Sequence, residues 1–202
     1  LDPVVPPERQ KGHLAELPAL AVREIAALQD HLVQTVGIVD NYNRIKGPTF
    51  AAVDVVSVTT TSLARLRPEA DAKRLALSAA LPSACVVLAH EQKLANVIDN
   101  LVGNAIKFTP EGGRIVLSVG WENDNLVIAI TDTGCGIAAD YRERVFDPGF
   151  RGTAAVEGRG LGLSFVRSVA RFYGGTAVCS SVPGQGSTFT VTLPLKAKGG
   201  LK

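Results

Sequence analysis

The spacing of hydrophobic positions changes along the chain, and the changes mark out its elements. From about Glu8 to Ile45, Leu14, Leu17, Leu20, Ile25, Leu28, Leu32, Val36, Ile38 and Val39 recur at steps of three or four, the period of an amphipathic helix. Pro18 should interrupt that helix near its start, and "LDPVVPP" before it reads as an extended lead-in. The turn signal "KGPTF" then divides residues 1–47 from a second unit, 48–202.

Beyond that boundary the pattern is mixed. "FAAVDV" predicts a short strand, and 54–68 a helix ending before Pro68. "RLALSAALP" and "CVVLA" predict two strands, and 91–107 a helix. "GRIVLSVGWENDNLVIAITDTG" predicts a hairpin around Asn123-Asp-Asn. Residues 138–145 suggest a short helix, 147–160 a Gly-rich loop and 161–173 another helix, before a closing hairpin, "TAVCSSVPGQGSTFTVTLPL". Strands in hairpins with separately gathered helices predict an α+β class. The architecture expected is a two-layer α/β sandwich, with helices on one face of an antiparallel or mixed sheet.

Composition narrows this picture. The chain has 202 residues, 46% of them hydrophobic, enough for one packed core and an appendage. Lysine and arginine number 21 against 19 acidic residues, a balance that points to no nucleic-acid partner. Cys85, Cys135 and Cys179 have neither CxxC nor zinc-ligand spacing and read as thiols of a reducing compartment. No apolar run approaches the roughly 20 residues that span a bilayer, and no signal peptide is visible. Met is absent even at position 1, so the sequence is expected to be a piece of a longer protein, whose remainder could hold a membrane segment.

Candidate chemistry begins on the helix containing "NLVGNAIKF". At about 100° per residue, Lys93, Asn96, Asn100, Asn104 and Lys107 fall within an arc of about 80°, opposite Leu94, Val97, Ile98, Leu101, Val102 and Ala105. One face can therefore pack on a sheet while the other presents carboxamides and ammonium groups. Carboxamide oxygens suit a hard cation such as Mg²⁺, and lysine suits phosphate. Alone, this face reads better as solvated surface, because asparagine is common there and a weak helix former.

Three glycine-rich segments follow. In "DTGCGI", Asp132 ends a strand beside two glycines, where a carboxylate can accept from an exocyclic amine while the backbone admits a flat ring. "GRGLGL" runs into a helix, so its amides and the helix N-terminus offer an anion site. "GQGSTF" places Thr188 at a strand start. Singly each is an ordinary loop; their order and contexts together are specific.

With "RVFDPGFRG" and "GRGLGLSFVRSVARFYGG" added, the sequence resembles the GHKL ATPase superfamily, and within it the catalytic, ATP-binding domain of sensor histidine kinases, over roughly residues 50–195. The resemblance implies the Bergerat fold with a lid over 147–160, and ATP and Mg²⁺ as ligands. It implies that Asn104 coordinates Mg²⁺ with Asn100 assisting, that Lys107 contacts phosphate, and that Asp132 reads the adenine amine. Gly134, Gly136 and Ile137 would line base and sugar. Phe146 would anchor the lid, and Arg151 matches a lid arginine near the γ-phosphate. Gly158, Gly160 and Gly162, with Leu161 and Leu163 between and after them, would wrap the phosphates, and Thr188 would support the adenine pocket. His90 stands where an acidic residue is common. Relatives that hydrolyse ATP or phosphorylate serine carry a glutamate base four residues before the metal-binding asparagine. Here that position is Asn100, which cannot act as a base, and this favours transfer to histidine, itself a competent nucleophile.

The resemblance further implies a dimerisation hairpin of two helices, with the phosphoacceptor on the first. Residues 23–50 look like the second helix and its exit, implying a homodimer through this N-terminal helix, a response regulator receiver domain as partner, and a cytoplasmic kinase core. His13 has the His-to-Pro18 separation of the family's phosphorylation box, yet Leu14 replaces the acidic residue expected after it. His31 lies mid-helix without that box. The acceptor is expected outside this sequence, with His13 the rival within it.

Overall fold

The structure, a computed structural model, describes residues 50–151 and 160–195. The N-terminal helix, His13, His31, the boundary at 47/48 and Gly158 lie outside the described residues. Among the described residues the order is β1 (Ala51–Asp54), α1 (Val55–Ala72), β2 (Ala76–Ala80), β3 (Val86–Ala89), α2 (Glu91–Phe108), β4 (Arg114–Glu122), β5 (Asn125–Asp132), α3 (Gly162–Phe172), β6 (Thr176–Val182) and β7 (Gly186–Leu193). Two 3₁₀ turns, Ala139–Tyr141 and Arg144–Phe146, precede α3.

The main sheet is five-stranded, in the order β2-β4-β5-β7-β6. β2 runs parallel to β4 and the other pairs are antiparallel, so the sheet is mixed. The strict alternation of β4, β5 and β7 puts Ile115, Leu117, Val119, Leu126, Ile128, Ile130, Val191 and Leu193 on one face, and all of them are buried. α2 packs against β4 and β5, α3 against β6 and β7, and α1 against α2 and β2, which makes the second layer. β1 and β3 form a separate antiparallel pair that closes the end of the helical layer. The expected two-layer α/β sandwich is the fold observed.

Local chemistry explains the boundaries. Asp54 caps α1, its Oδ1 accepting from Val56 N–H at 3.1 Å. The β4–β5 hairpin turns through Asn123 and Asp124, both at positive φ (48° and 63°), the pair a type I′ turn demands. Gly174, at φ 76°, ends α3, and Gly175 N–H returns to Ala170 O at 2.8 Å.

Two expectations need correction. α1 does not stop before Pro68 but continues to Ala72. Pro68 and Ala64, the residue whose carbonyl it leaves without a helical donor, both lie on the exposed side, where water replaces the bond. Burial of Leu66 and Ala70 holds the last turn. The helix expected over 138–145 is two 3₁₀ turns instead. So short a segment nucleates poorly as α-helix, and the Glu143 carbonyl accepts both from Phe146 N–H within the 3₁₀ turn, at 3.4 Å, and from the Arg167 guanidinium, at 2.9 Å.

The core therefore rests on the inner sheet face. Leu117→Ala, at a fully buried position, is expected to lower stability by about 2–5 kcal/mol. Thr190→Ala, on the open face, should change it by less than about 0.5 kcal/mol. Urea denaturation of both variants checks the contrast, and equal losses would contradict the layer assignment.

Candidate functional site

α2 divides as its sequence predicts. Leu94, Val97, Ile98, Leu101, Val102, Ala105 and Ile106 are buried, whereas Asn96, Asn100, Asn104 and Lys107 are only partly covered. Glu91 in its first turn and Lys107 in its last complement the helix dipole. Lys93 departs from the expected polar face: it is 1% exposed, with its ammonium 4.7 Å from the centre of the Phe172 ring. Burial pulls its pKa down. It is covered at the start of α2 by the far end of α3 and does not join the exposed amide face.

The start of α3 meets that face. A side chain added at Gly162 would put its Cβ 2.7 Å from Asn100 Oδ1 and 3.6 Å from Asn104 Nδ2. Glycine is thus what allows the α3 backbone to approach the two carboxamides. Asn100 is oriented by its own helix, Nδ2 donating to Asn96 O at 2.7 Å. Gly160, at φ 66°, turns the chain into the helix, and its carbonyl accepts from Gly149 N–H at 3.1 Å. Leu161 supplies the α3 N-cap backbone, its carbonyl accepting from Ser164 Oγ at 2.9 Å, and Leu163 packs against the core.

The β5 end closes the other side. Asp132 is 5% exposed, and burial raises its pKa, while hydrogen bonds from the Gly134 and Ser187 N–H groups pull it back. The Gly134 bond is 2.8 Å. A Cβ on Gly134 would lie 2.7 Å from Phe108 O, so this loop rests against the last residue of α2. Gly136 is equally confined, at φ 69° against the Val182 carbonyl. Ile137 packs on the core edge and donates its N–H to Ser181 Oγ at 2.8 Å. Phe146 is buried, edge-on to Phe189 at 6.1 Å, with the Arg167 guanidinium 4.7 Å from its ring centre. Arg167 also holds Glu143 Oε2 at 3.1 Å and so fixes the 3₁₀ turn that carries Phe146.

Asn100, Asn104, Lys107, Asp132, Gly134, Gly136, Ile137, Phe146, Gly160, Leu161, Gly162 and Leu163 thus fall in four segments: α2, the end of β5 with the loop after it, the second 3₁₀ turn and the start of α3. Arg151 is exposed just beyond them. Thr188 is the exception. Strand register pairs Asp132 with Ser187, and Thr188 with Thr131 on the opposite face, where their hydroxyls lie 3.0 Å apart. An odd-even slip of one residue turns a side chain to the other side of a sheet. The hydroxyl beside Asp132 is Ser187, 3.0 Å from Ser181 Oγ, which in turn donates to Gly186 O at 2.8 Å. The strand alternation of "GQGSTF", counted from Phe189 inward, was the signal that could have found it. A groove of about 270 Å³ between α1 and α2, lined by Ser57, Thr61, Arg65, Glu91, Gln92 and Asp99, includes none of these residues.

Comparison with known proteins gives a consistent result. The profile of the family described as "Histidine kinase-, DNA gyrase B-, and HSP90-like ATPase" matches residues 89–197, more than half of the chain. The sensor-like histidine kinase SenX3 of Mycolicibacterium smegmatis is 36% identical over 179 residues, covering 85% of this chain and 47% of the relative. The adaptive-response sensory kinase SasA of Crocosphaera subtropica is 45% identical over 112 residues, covering 54% of this chain and 29% of the relative. The chain therefore spans about half the length, or less, of these curated relatives. Among solved structures, the mycobacterial sensor histidine kinase MprB matches with a TM-score of 0.66 at 26% identity, over 74% of this chain and 99% of that one. Full-length ShkA in complex with AMPPNP matches with a TM-score of 0.69 at 28% identity, over 91% of this chain and 40% of that one.

His90 gives the site helix a pH dependence. It precedes α2, its N–H donating to Tyr173 Oη at 2.8 Å and its Nδ1 lying 3.1 Å from the same oxygen. With that oxygen already accepting from the backbone, the tyrosine proton is available to a neutral Nδ1. Burial, and then the charge of Lys93, hold the His90 pKa below its ordinary value. A depressed imidazole pKa means that the unfolded chain binds the proton more readily, so stability is lost as pH falls through the ordinary histidine range near ~6.5. Urea midpoints should drop between pH 7.5 and 5.5 and drop less in His90→Gln; identical profiles would contradict the contact.

Proposed function

The chain belongs to the histidine kinase-, DNA gyrase B- and HSP90-like ATPase family and carries the ATP-binding catalytic domain of a sensor histidine kinase, and from that premise we propose that it transfers the γ-phosphoryl group of ATP to a histidine. The observation that carries this reading is the meeting of the α2 amide face with the glycine start of α3, beside a buried Asp132. An anionic chain of phosphates suits an asparagine and lysine face flanked by the N-terminus of a helix. A base fits where Asp132 can accept from its amine, on a loop that Gly134 and Gly136 let lie close against Phe108 O and the Val182 carbonyl.

The donor set also suits a metal that arrives with the nucleotide. Among the described residues no group of three His, Cys, Asp or Glu side chains could hold an ion by itself. Asn104 and Asn100 offer uncharged carboxamide oxygens, which would help hold a Mg²⁺ ion that comes with the nucleotide. Bound there, Mg²⁺ would neutralise charge on the triphosphate. Lys107 would hold a phosphate oxygen, Arg151 would draw toward the γ-phosphate, and Ser187 would support Asp132 in place of Thr188. The incoming imidazole nitrogen forms the bond to the γ-phosphorus as the bond to the ADP oxygen breaks. Positioning and charge compensation supply most of the rate. Asn100, where hydrolases carry a glutamate, leaves water unactivated.

The apolar stripe between Leu14 and Val39 suits a homodimer through the N-terminal helix, with a response regulator receiver domain accepting the phosphoryl group in turn. The domain works in the cytoplasm in this reading. Among the described residues no helix is long and apolar enough to cross a membrane.

Labelled ATP supplied with a separate acceptor-helix domain tests the reaction. Label should appear on an acid-labile histidine, and Asn104→Ala should reduce transfer by about 100-fold or more, the scale on which a positioned transition-state contact acts. Nucleotide binding without transfer would identify an adaptor, and rapid release of free phosphate a hydrolase; either result defeats the kinase reading.

A further inference from the structure

An α-helix leaves its last four carbonyls without helical donors, and in α2 each of them has a partner. Ala105 O accepts from Thr109 N–H at 3.0 Å, and Phe108 O from Cys135 N–H at 3.4 Å. The two between them, Ile106 O and Lys107 O, accept from a single group, the ammonium of Lys73, at 2.7 and 3.2 Å. The same ammonium reaches Thr109 O at 2.8 Å, just past the helix end. Lys73 comes from the C-cap of α1, and its own carbonyl accepts from Gly112 N–H at 3.2 Å. One half-buried side chain therefore gathers three carbonyls at the negative end of α2, where a cation is favoured.

The location matters more than the number of bonds. The clamped carbonyls include that of Lys107 itself, and they flank Phe108 O, the atom against which the Asp132–Gly134 loop rests. Phosphate-facing Lys107 and amine-facing Asp132 belong to different elements, and the end of α2 is where those elements meet. We propose that Lys73 is a positioning residue for the nucleotide site, pinning the end of α2 so that its amide and lysine face keeps a fixed distance from the Asp132 loop. The proposal rests on the nucleotide reading given above. Lys73 touches neither nucleotide nor metal in this account and acts through Lys107, Phe108 and the turn at 109–113.

The test compares the whole chain with Lys73→Met, measuring magnesium-dependent uptake of a non-hydrolysable ATP analogue by calorimetry and amide exchange by mass spectrometry. Lys73→Met should weaken uptake by about tenfold or more, because sub-ångström misplacement of binding groups is costly. Exchange should quicken over 105–109 and 133–135 and stay unchanged in the first turns of α1. Lys73→Arg, which keeps the cation, should recover most of the affinity. Val58→Ala, a core truncation on the same helix, should lower the melting temperature and leave affinity intact, separating positioning from general destabilisation. Should Lys73→Met fail to fold, Lys73→Gln, with donors but no charge, carries the same comparison. Wild-type protein that takes up no nucleotide defeats the functional reading itself. Wild-type uptake matched by a folded Lys73→Met or Lys73→Gln variant overturns the role of Lys73 alone.

Discussion

The arrangement depends on one close approach. The backbone of α3 begins where a β-carbon would lie 2.7 Å from Asn100 Oδ1, so glycine at 162 lets the two helices meet without displacing a carboxamide that donates to Asn96 O. The meeting sets the N-terminal end of one helix against the carboxamide face of another. Neither surface suffices alone: a helix start is a diffuse positive end, and an asparagine face is ordinary polar surface. Brought together, they place a helix N-terminus against two carboxamides, a combination that suits an anion and its counterion.

The rest of the fold maintains that meeting. The inner sheet face seats α2 and α3 side by side through Ile115, Leu117, Ile128, Ile130 and Val191. Strand register then delivers Asp132 to the edge of this face, backed by Ser187 and the Ser181 hydroxyl. Arg167 ties α3 to the turn carrying Phe146, and Lys73 ties α1 to the far end of α2. Asp132, Gly162 and Lys107 lie at element ends, whereas several contacts that fix those ends come from side chains of other elements. That division resembles other sites in which a rigid scaffold positions groups borne on loops.

Much of this was legible in the sequence because period and punctuation carry it. The α2 stripe, the alternation of β4, β5 and β7, and the Asn123–Asp124 turn all follow from local rules. What was not legible depended on tertiary contact. Pro68 ends a helix by local steric rules, yet its solvent-facing side makes the interruption tolerable. Lys93 falls on the polar arc by angle, but Phe172 arrives from a distant segment and covers it. Thr188 and Ser187 are neighbours in sequence with opposite orientations, and only the pairing with Asp132 separates them. Lys73 carries no motif at all; its three carbonyl partners lie more than thirty positions away.

The central claim, that the two helices converge on a metal-bound triphosphate, is tested most directly at Gly162. Calorimetric titration with a non-hydrolysable ATP analogue should show saturable uptake by the wild-type chain, dependent on Mg²⁺. Gly162→Ala, by displacing the Asn100 carboxamide from the α3 start, should abolish that uptake or weaken it by about tenfold or more while the protein stays folded. Undiminished uptake in a folded Gly162→Ala variant, or none in the wild type, would contradict the account.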